Sequence, residues 1–304
     1  MAREQYADQV KLLVEILPAV AAEKAFALKG GTAINLFYRD LPRLSVDIDL
    51  TFLPVTDGAR ALAEIDAAMN RLGVAGGKIP GVRAARIAGG GGDATRVLFQ
   101  RGAATVKVET SPVMRGVVFE PAIRRTSLAV EDQFGFAEAT IVSFEDLFAG
   151  KLHAALDRQH PRDLFDVKLL YENEGLTDDL FRVFLVYIAS SNRPPHELLS
   201  PSLQPLDEIF EKEFAGMTNT PVTVDMLQAT RNRLIADIRA RLRGRAAEFL
   251  RSLVRGAPDF AALGLDAAAT LPAVRWKVRN IEIFRTANPR KYEEQIRALD
   301  ALLS

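Results

Sequence analysis

From Ser143 onwards the sequence shows only helical periodicity, whereas the residues before it alternate between helical and strand patterns. Strand patterns occur in the segments FALK, VDIDLTF, VRAARIA, TRVLFQ and ATVKVET, and the third and fourth of these are joined by the glycines 89–92 and Asp93. At 304 residues the chain is long enough for two domains. We therefore predict an α+β fold, with a mixed sheet and helices over residues 1–174 and an all-helical domain over residues 175–304.

The composition excludes several kinds of site. The chain has no cysteine, so disulfides, thiolate zinc sites, iron–sulfur clusters and cysteine nucleophiles are excluded. Basic and acidic residues number 39 each, so only local charge clusters can indicate a nucleic-acid partner. The N-terminal segment interleaves apolar and charged residues, and it is therefore neither a signal-peptide core nor a membrane span. We expect a cytoplasmic protein with no membrane partner.

Two carboxylates are expected to project together from one strand. Asp47 and Asp49 are two residues apart, so they point to one face of the strand while Ile48 packs on the other. Like charges this close repel, and a divalent cation relieves the repulsion. A solvated strand face would show the same pattern, so the pair alone does not define a site.

A glycine turn precedes this strand. Gly30, Gly31 and Thr32 lie between the segment FALK and a short helical segment. Glycine lets backbone amides approach a ligand closely, and a helix N-terminus favours phosphate. A simple tight turn would explain the glycines equally well, but the order of strand, turn, helix and D-x-D strand predicts a triphosphate beside a metal. The sequence contains neither a P-loop nor a dinucleotide-binding fingerprint.

A third carboxylate is predicted in the segment VKVET. Val106 and Val108 face one side of this strand, and Lys107 and Glu109 face the other. If this strand is a neighbour of the Asp47 strand, the three carboxylates share one face and form a two-metal site. The alternative is an ordinary amphipathic strand with an exposed charged side.

A further charged cluster lies in the segment KLHAALDRQHPRDLFD. Asp163 and Asp166 are three residues apart on a predicted helix and therefore share a face, and Lys151 lies on the preceding helix. The alternative is that these are solvent-facing residues, with Arg162 and Asp163 in local ion pairs.

These segments together resemble the AbiEii/AbiGii nucleotidyltransferase toxins, the group that includes the MenT toxins. LKGGTAINLFYRDLPRLSVDIDL is similar to the first motif of that family, with Arg43, Ser45, Asp47 and Asp49 in register. VKVET resembles the third-carboxylate strand, where Glu109 stands in place of the common Asp. The Lys151 to Asp166 segment resembles the later lysine and R-D-x-x-D motif, and residues 276–292 resemble the C-terminal helical segment.

The resemblance implies a polymerase-β-like nucleotidyltransferase core followed by a helical domain. It implies a toxin or phage-defence effector that has a separately encoded antitoxin and transfers NMP from an NTP to the 3′ end of tRNA or another RNA, which blocks translation. It also implies Mg²⁺ or Mn²⁺ held by Asp47, Asp49 and Glu109. The implied nucleotide contacts are Gly30, Gly31, Thr32, Arg43, Ser45 and Lys151. Asp163 is then the base or positioning residue for the acceptor hydroxyl, with Asp166 as the second candidate.

An RNA-binding surface is predicted in the helical domain. Residues 231–255 hold eight arginines against one Asp and one Glu, and clustered arginines give a phosphate-binding face. The alternative is an amphipathic helix with a basic solvated side. The candidate contacts are Arg239, Arg241, Arg243, Arg245, Arg275, Lys277 and Arg279.

Two other functions are compatible with the sequence. The protein can instead transfer a nucleotide or phosphate to a side-chain hydroxyl of another protein, such as the antitoxin. A nucleotide- or RNA-binding regulator without turnover would keep the basic helices but would not need three carboxylates on one face.

Overall fold

The computed structural model describes residues 2–87 and 95–304, so the predicted glycine hairpin loop, Gly89–Gly92 with Asp93, lies outside the described residues. The chain divides into two compact units. The first comprises Met1–Ser143 and Met217–Thr220, and the second comprises Phe144–Gly216 and Pro221–Ser304.

The first unit contains a mixed sheet. Its strands are β1 (Phe26–Lys29), β2 (Ile48–Phe52), β3 (Arg83–Ile87), β4 (Arg96–Arg101), β5 (Ala104–Thr110), β6 (Ala122–Arg125) and β7 (Glu138–Ile141). Among the described residues the order is β3-β4-β5-β2-β1-β7-β6. β2 runs parallel to β5 and β1 runs parallel to β7, whereas the other neighbours are antiparallel.

The helices of the first unit are α1 (Ala2–Ala22), α2 (Gly30–Ala33), α3 (Gly58–Gly76) and α4 (Leu128–Phe134). α1 continues through Pro18, so this proline does not end the helix. α2 passes directly into a π-helical turn, Ile34–Tyr38. Helical structure therefore begins at Gly30 itself, and the two glycines form its first turn.

Alternation along the central strands fixes which side of the sheet is apolar. Val106 and Val108 on β5 are fully buried, and so are Ile48 and Leu50 on β2. The intervening charged residues are partly exposed. The period of two that the sequence shows in VKVET is thus the burial pattern of β5.

The second unit is helical. Its helices are α5 (Phe144–Asp157), α6 (Pro161–Asn173), α7 (Asp178–Ala189), α8 (Pro195–Leu199), α9 (Asp207–Glu213), α10 (Val224–Ala240), α11 (Arg245–Val254), α12 (Pro272–Ala287) and α13 (Pro289–Leu302). Helical periodicity in the sequence runs through residues 222–254 and predicts a continuous helix there, but the chain breaks between α10 and α11. Gly244 supplies the break, because its φ of +54° is a conformation that glycine adopts readily.

The two compact units meet in sequence at Ser143, whereas the sequence analysis drew the domain boundary at residue 174. The difference arises because α5 packs against α7. Tyr187 on α7 lies beside Gly150 and donates a hydrogen bond to Asp146 Oδ1 at 3.3 Å. α5 and α6 therefore pack with the later helices.

A short segment from late in the chain belongs to the first unit. Residues Met217–Thr220 run alongside residues 41–44, and Arg43 forms an antiparallel bridge with Thr218. The amide of Leu44 donates to the carbonyl of Met217 at 2.9 Å. Periodicity gave no indication of this pairing, because it involves single residues far apart in sequence.

None of the described helices combines the length and the apolar character that crossing a membrane requires.

Candidate functional site

Asp49 and Glu109 lie opposite each other on neighbouring parallel strands. The register pairs Ile48 with Val108, Asp49 with Glu109 and Leu50 with Thr110. The shared carboxylate face was predicted on the condition that these two strands are neighbours. They are neighbours in the sheet. Asp47 directly precedes β2, and half of its side chain is exposed.

Cations lie among these carboxylates. Lys107 Nζ is 3.1 Å from Glu109 Oε1 and 3.8 Å from Asp47 Oδ2. Arg96 Nε is 2.9 Å from Glu109 Oε2. Lys107 therefore bridges the two strands on the face that carries the carboxylates. Its position shows that Asp47 and Glu109 project to the same side, and that Glu109 is compensated by protein cations.

The donor chemistry fits one mode of magnesium binding. Within the described ranges, no group of three or more His, Asp or Glu side chains is arranged to hold a metal ion, and Glu109 is turned to Lys107 and Arg96. Mg²⁺ needs no such cage, because it commonly keeps several waters and binds one or two carboxylates together with substrate phosphates. Asp47 and Asp49, both at least partly exposed, supply such a pair of carboxylates.

Gly30 lies directly against Asp49. A Cβ atom on Gly30 would collide with Asp49 Oδ2, and the φ of Gly30 is +76°, which side chains rarely adopt. The backbone of Gly30, at the start of α2, therefore lies directly against the carboxylate of Asp49. This contact explains why glycine is needed here, and it brings the glycine turn and the D-x-D strand together.

Gly31 makes the second close approach. A Cβ atom on Gly31 would lie 2.5 Å from Arg43 Nη2 and 2.8 Å from Ser45 Oγ. The side chains of Arg43 and Ser45 are therefore packed on the glycine turn. Four features of the predicted motif, namely the two glycines, Arg43, Ser45 and the aspartates, meet at one place in the first unit.

Thr32 is buried and has a structural contact. Its hydroxyl donates to the carbonyl of Asp47 at 2.5 Å and lies 3.2 Å from Ser45 Oγ. Through these bonds Thr32 joins α2 to the residues that precede β2. Its role as a nucleotide contact stays a prediction, and its observed contact is with the protein backbone.

The loop that carries Arg43 is held by residues that the sequence analysis missed. Asn35 Nδ2 donates to the carbonyl of Gly31 at 2.6 Å, and the amide of Arg43 donates to Asn35 Oδ1 at 3.3 Å. Asn219 Nδ2 donates to the carbonyl of Leu41 at 2.6 Å. The only sequence signal for Asn35 is an asparagine among the apolar residues of the helical segment TAINLFY. Nothing in the sequence marks Asn219.

In the second unit, Lys151, Asp163 and Asp166 form a buried ion-pair cluster. Lys151 Nζ lies 2.8 Å from Asp163 Oδ1 and 2.9 Å from Asp166 Oδ2, and the three side chains are 6%, 1% and 0% exposed. Arg158 also pairs with Asp163, at 2.5 Å. The alternative of solvent-facing residues is therefore wrong, and Asp163 pairs with Lys151 and Arg158.

The charge state of Asp163 is set by two opposing effects. Burial alone would raise the pKa of this carboxyl, but the charges and hydrogen bonds of Lys151 and Arg158 outweigh it and hold the pKa well below its usual range. A carboxylate with so low a pKa is a weak proton acceptor. Asp163 is therefore better suited to positioning Lys151 than to acting as a general base.

The residues predicted to contact RNA differ in their exposure and in their contacts with the protein. Arg239 donates to Ser200 Oγ at 2.5 Å, and Arg241 donates to Asp178 at 2.7 Å and to the carbonyl of Leu176 at 2.7 Å. Arg241 is partly exposed, whereas Arg239, Arg243, Arg245, Arg275 and Arg279 are exposed.

Lys277 is buried, so it does not lie on an exposed basic face. Its Nζ donates to the carbonyl of Arg193 at 2.6 Å. Lys277 was predicted as an RNA contact because it adds to the cluster of basic residues with Arg275 and Arg279. It is two positions from each of them, however, and so lies on a different side of α12. We leave Lys277 out of any proposed RNA surface.

Burial of Lys277 predicts a pH-dependent stability. Desolvation lowers the pKa of Lys277 from 10.5 to about 8. At pH values between these two pKa values the unfolded chain binds more protons than the folded chain. The free energy of unfolding should therefore rise with pH, by ~3 kcal/mol over this pH range. Urea unfolding of the wild type and Lys277→Met from pH 7.5 to 10.5 measures this, and the variant should lack the rise. Parallel curves for the two proteins would contradict the assignment.

The sheet, the glycine turn and the strand carboxylates define the class of the protein, and comparison with known proteins identifies the family. A family model described as "Nucleotidyl transferase AbiEii toxin, Type IV TA system" matches residues 11–280. The chain belongs to this family of nucleotidyltransferase toxins. The predicted resemblance is thereby confirmed.

A solved structure confirms the fold. The chain is similar to MenT4, a nucleotidyltransferase toxin from Mycobacterium tuberculosis, with a TM-score of 0.58 and 16% sequence identity over 91% of this chain and 90% of that chain. The predicted nucleotidyltransferase core followed by C-terminal helices is therefore confirmed as the architecture. No curated protein sequence matches the chain.

Proposed function

We propose that the protein is a metal-dependent enzyme that transfers NMP from an NTP to the 3′ hydroxyl of an RNA acceptor, with tRNA as the acceptor, and so blocks translation. The observation that carries this proposal is the pairing of Asp49 with Glu109 on adjacent strands, with the backbone of Gly30 packed on the Asp49 carboxylate. Phosphate next to carboxylates requires a cation between them, and that requirement fits a triphosphate substrate.

Asp47 and Asp49 would hold the divalent ion, Mg²⁺ or Mn²⁺, and Glu109 is the third candidate ligand. When bound, such an ion supplies positive charge at the triphosphate and favours ionisation of the attacking hydroxyl. The start of α2 brings backbone amides to the same place, where the helix N-terminus favours phosphate. Arg43 and Ser45, packed on Gly31, would add a guanidinium and a hydroxyl to the nucleotide site.

The reaction is an in-line displacement. The 3′ oxygen of the acceptor forms a bond to the α-phosphorus of the NTP, the bond from that phosphorus to the α–β bridging oxygen breaks, and pyrophosphate leaves. The hydroxyl proton passes to a base, and we assign this role to Asp166, the second candidate from the sequence, because Asp163 is a weak proton acceptor. The depressed pKa of Asp163 favours a role in orienting Lys151, whose ammonium group would contact the phosphates. Positioning and charge stabilisation supply most of the rate.

The family membership supports a toxin with an antitoxin partner. We propose that the antitoxin is separately encoded and that the activity serves in phage defence. RNA as the acceptor is supported by the exposed arginines at and near the start of α11, because clustered guanidinium groups attract a phosphate backbone.

The test is transfer from each of four α-³²P-labelled NTPs, with Mg²⁺, into total bacterial tRNA plus cell protein, resolved on a denaturing gel. Label in the tRNA band with one preferred NTP, lost when EDTA is added, is the expected result. Label in a protein band instead would replace the RNA acceptor by a protein, such as the antitoxin. Absence of label with every NTP would favour a binding protein without turnover.

A further inference from the structure

A cavity of about 910 Å³ in the second unit is lined by five arginines. They are Arg182 from α7, Arg233 from α10, Arg241 and Arg243 from the break between α10 and α11, and Arg245 from the start of α11. We call these five residues the arginine pocket. Its volume lies in the range of pockets that hold small molecules or single nucleotides.

Carboxylates compensate three of the five arginines. Arg241 pairs with Asp178 at 2.7 Å, and Arg182 pairs with Asp179. Arg233 lies 3.6 Å from Asp237. Among the described carboxylates none pairs with Arg243 or Arg245, so these two guanidinium groups carry uncompensated positive charge at the pocket.

The compensated arginines are held in place by further contacts. Arg182 Nη1 donates to the carbonyl of Leu263 at 2.9 Å, and Arg241 Nη2 donates to the carbonyl of Leu176 at 2.7 Å. The Arg233 guanidinium lies 4.0 Å above the ring of Tyr171. Donor groups fixed in this way lose little side-chain entropy when an anion binds.

A helix terminus adds a second source of positive potential. α11 begins at Arg245, and both Arg245 and Ala246 line the pocket. The N-cap residue of α11 is Gly244, which has no side chain. The first backbone amides of the helix therefore have no side-chain cap. The amides and the dipole of a ten-residue helix thus favour an anion at the same place as Arg243 and Arg245.

The pocket also has an apolar wall. Phe181 and Leu185 from α7 line it together with Leu263. An inorganic anion would use only the guanidinium groups, whereas a nucleotide unit would place its ribose or base on this wall. Arginine is suited to such a ligand, because its planar donors pair bidentately with phosphate oxygens.

We propose that the arginine pocket binds backbone phosphates of the RNA acceptor, with one nucleotide unit seated against the apolar wall. The inference rests on the proposed function for its RNA, but phosphate recognition by the pocket stands on the geometry alone. It assigns the acceptor to a defined place on the second unit and adds Arg182 and Arg233, which the sequence analysis did not select.

The test is binding of fluorescein-labelled tRNA by fluorescence anisotropy, with Arg243→Glu/Arg245→Glu compared with the wild type. Charged hydrogen bonds to phosphate of this kind correspond to about tenfold in affinity each, so a loss of at least ~10-fold is expected. The slope of log K against log salt should fall by about 1.4 if two phosphate contacts to a single strand are lost. Arg243→Lys/Arg245→Lys keeps the charge and should lose less.

The control is Arg290→Glu/Arg297→Glu. Both residues are exposed on α13 and outside the pocket, and the change in net charge is the same. This control should bind tRNA as the wild type does. An equal loss in both double variants would show a general charge effect and overturn the proposal. Circular dichroism of each variant checks that the helices remain intact.

Inorganic triphosphate and ATP, titrated against the same variants, distinguish the source of the phosphate. If the glutamate variant loses affinity for these probes but binds tRNA normally, the RNA assignment is overturned and a free nucleotide is the ligand. If wild-type protein binds tRNA through the pocket but transfers no nucleotide, the proposed function fails and the pocket stands. If transfer occurs and the glutamate variant keeps the wild-type tRNA affinity and KM, the pocket fails and the proposed function stands.

Discussion

Replacement of Asp49 by asparagine is expected to lower the rate of nucleotidyl transfer about 10³-fold or more while the chain stays folded. Asparagine keeps the size of the side chain and removes its charge, so the close contact with Gly30 remains possible while the electrostatic attraction for a cation is lost. The rate of α-³²P-NMP transfer into tRNA measures the effect, and thermal melting measures the fold. The Mg²⁺ concentration for half-maximal residual activity should also rise.

Asp132→Asn is the matched control. Asp132 is an exposed aspartate of α4 in the same unit, and its replacement removes the same charge away from the glycine turn. This variant should transfer nucleotide at the wild-type rate. Wild-type activity in Asp49→Asn would remove Asp49 from the site, and a similar loss in Asp132→Asn would indicate that net charge alone is responsible.

Replacement of Lys151 by methionine is expected to destabilise the protein by ~3–5 kcal/mol, because it leaves buried carboxylates without their cation. Asp163 and Asp166 are 1% and 0% exposed, whereas Arg158, the other cation that pairs with Asp163, is 63% exposed. Urea unfolding at pH 7 measures the loss. Transfer activity should fall as well, so Lys151→Met alone does not separate the structural role of Lys151 from the proposed catalytic one.

The triple variant Lys151→Met/Asp163→Asn/Asp166→Asn makes that separation. It replaces the buried ion pairs of Lys151 by neutral groups of similar size, so no buried carboxylate is left without its cation and part of the stability should return. Recovered stability with activity still absent is the outcome expected if the charged cluster takes part in catalysis. Recovery of both would show that the cluster only holds α5 against α6, and would overturn the proposed phosphate contact.

The local architecture of the first unit could be predicted because its signals are short in range. The alternation in VKVET corresponds to the burial of Val106 and Val108 on β5. The predicted order of strand, glycine turn, helix and D-x-D strand corresponds to β1, then α2 with the glycines in its first turn, then β2. Parity along a strand depends only on the residue number. Whether β2 and β5 are neighbours depends on the tertiary fold. The shared carboxylate face could therefore be predicted only on the condition that these two strands pair.

Other features could not be predicted, because they depend on tertiary contacts. Spacing alone does not distinguish Lys277, which lies buried against the carbonyl of Arg193, from an exposed helical lysine. The pairing of Lys151 with two aspartates across α5 and α6 required a helix–helix contact, so solvent exposure remained an equal alternative in the sequence. The pocket that joins Arg182 to Arg243 brings together residues from α6, α7, α10, α11 and the helical turn Phe260–Leu263.

The Met217–Thr220 segment has a consequence for the evolution of the chain. The first unit is completed by residues that lie between two stretches of the second, so the polypeptide leaves and re-enters each unit. A genetic exchange that breaks the gene after Ser143 would transfer the sheet without the residues that bond to Leu41 and Leu44 beside Arg43. The loop beside the glycine turn would lose its partner even though every site residue of the first unit had been inherited. The two halves are therefore constrained to evolve as one gene, and swapping helical parts between relatives requires that this segment be matched to its recipient.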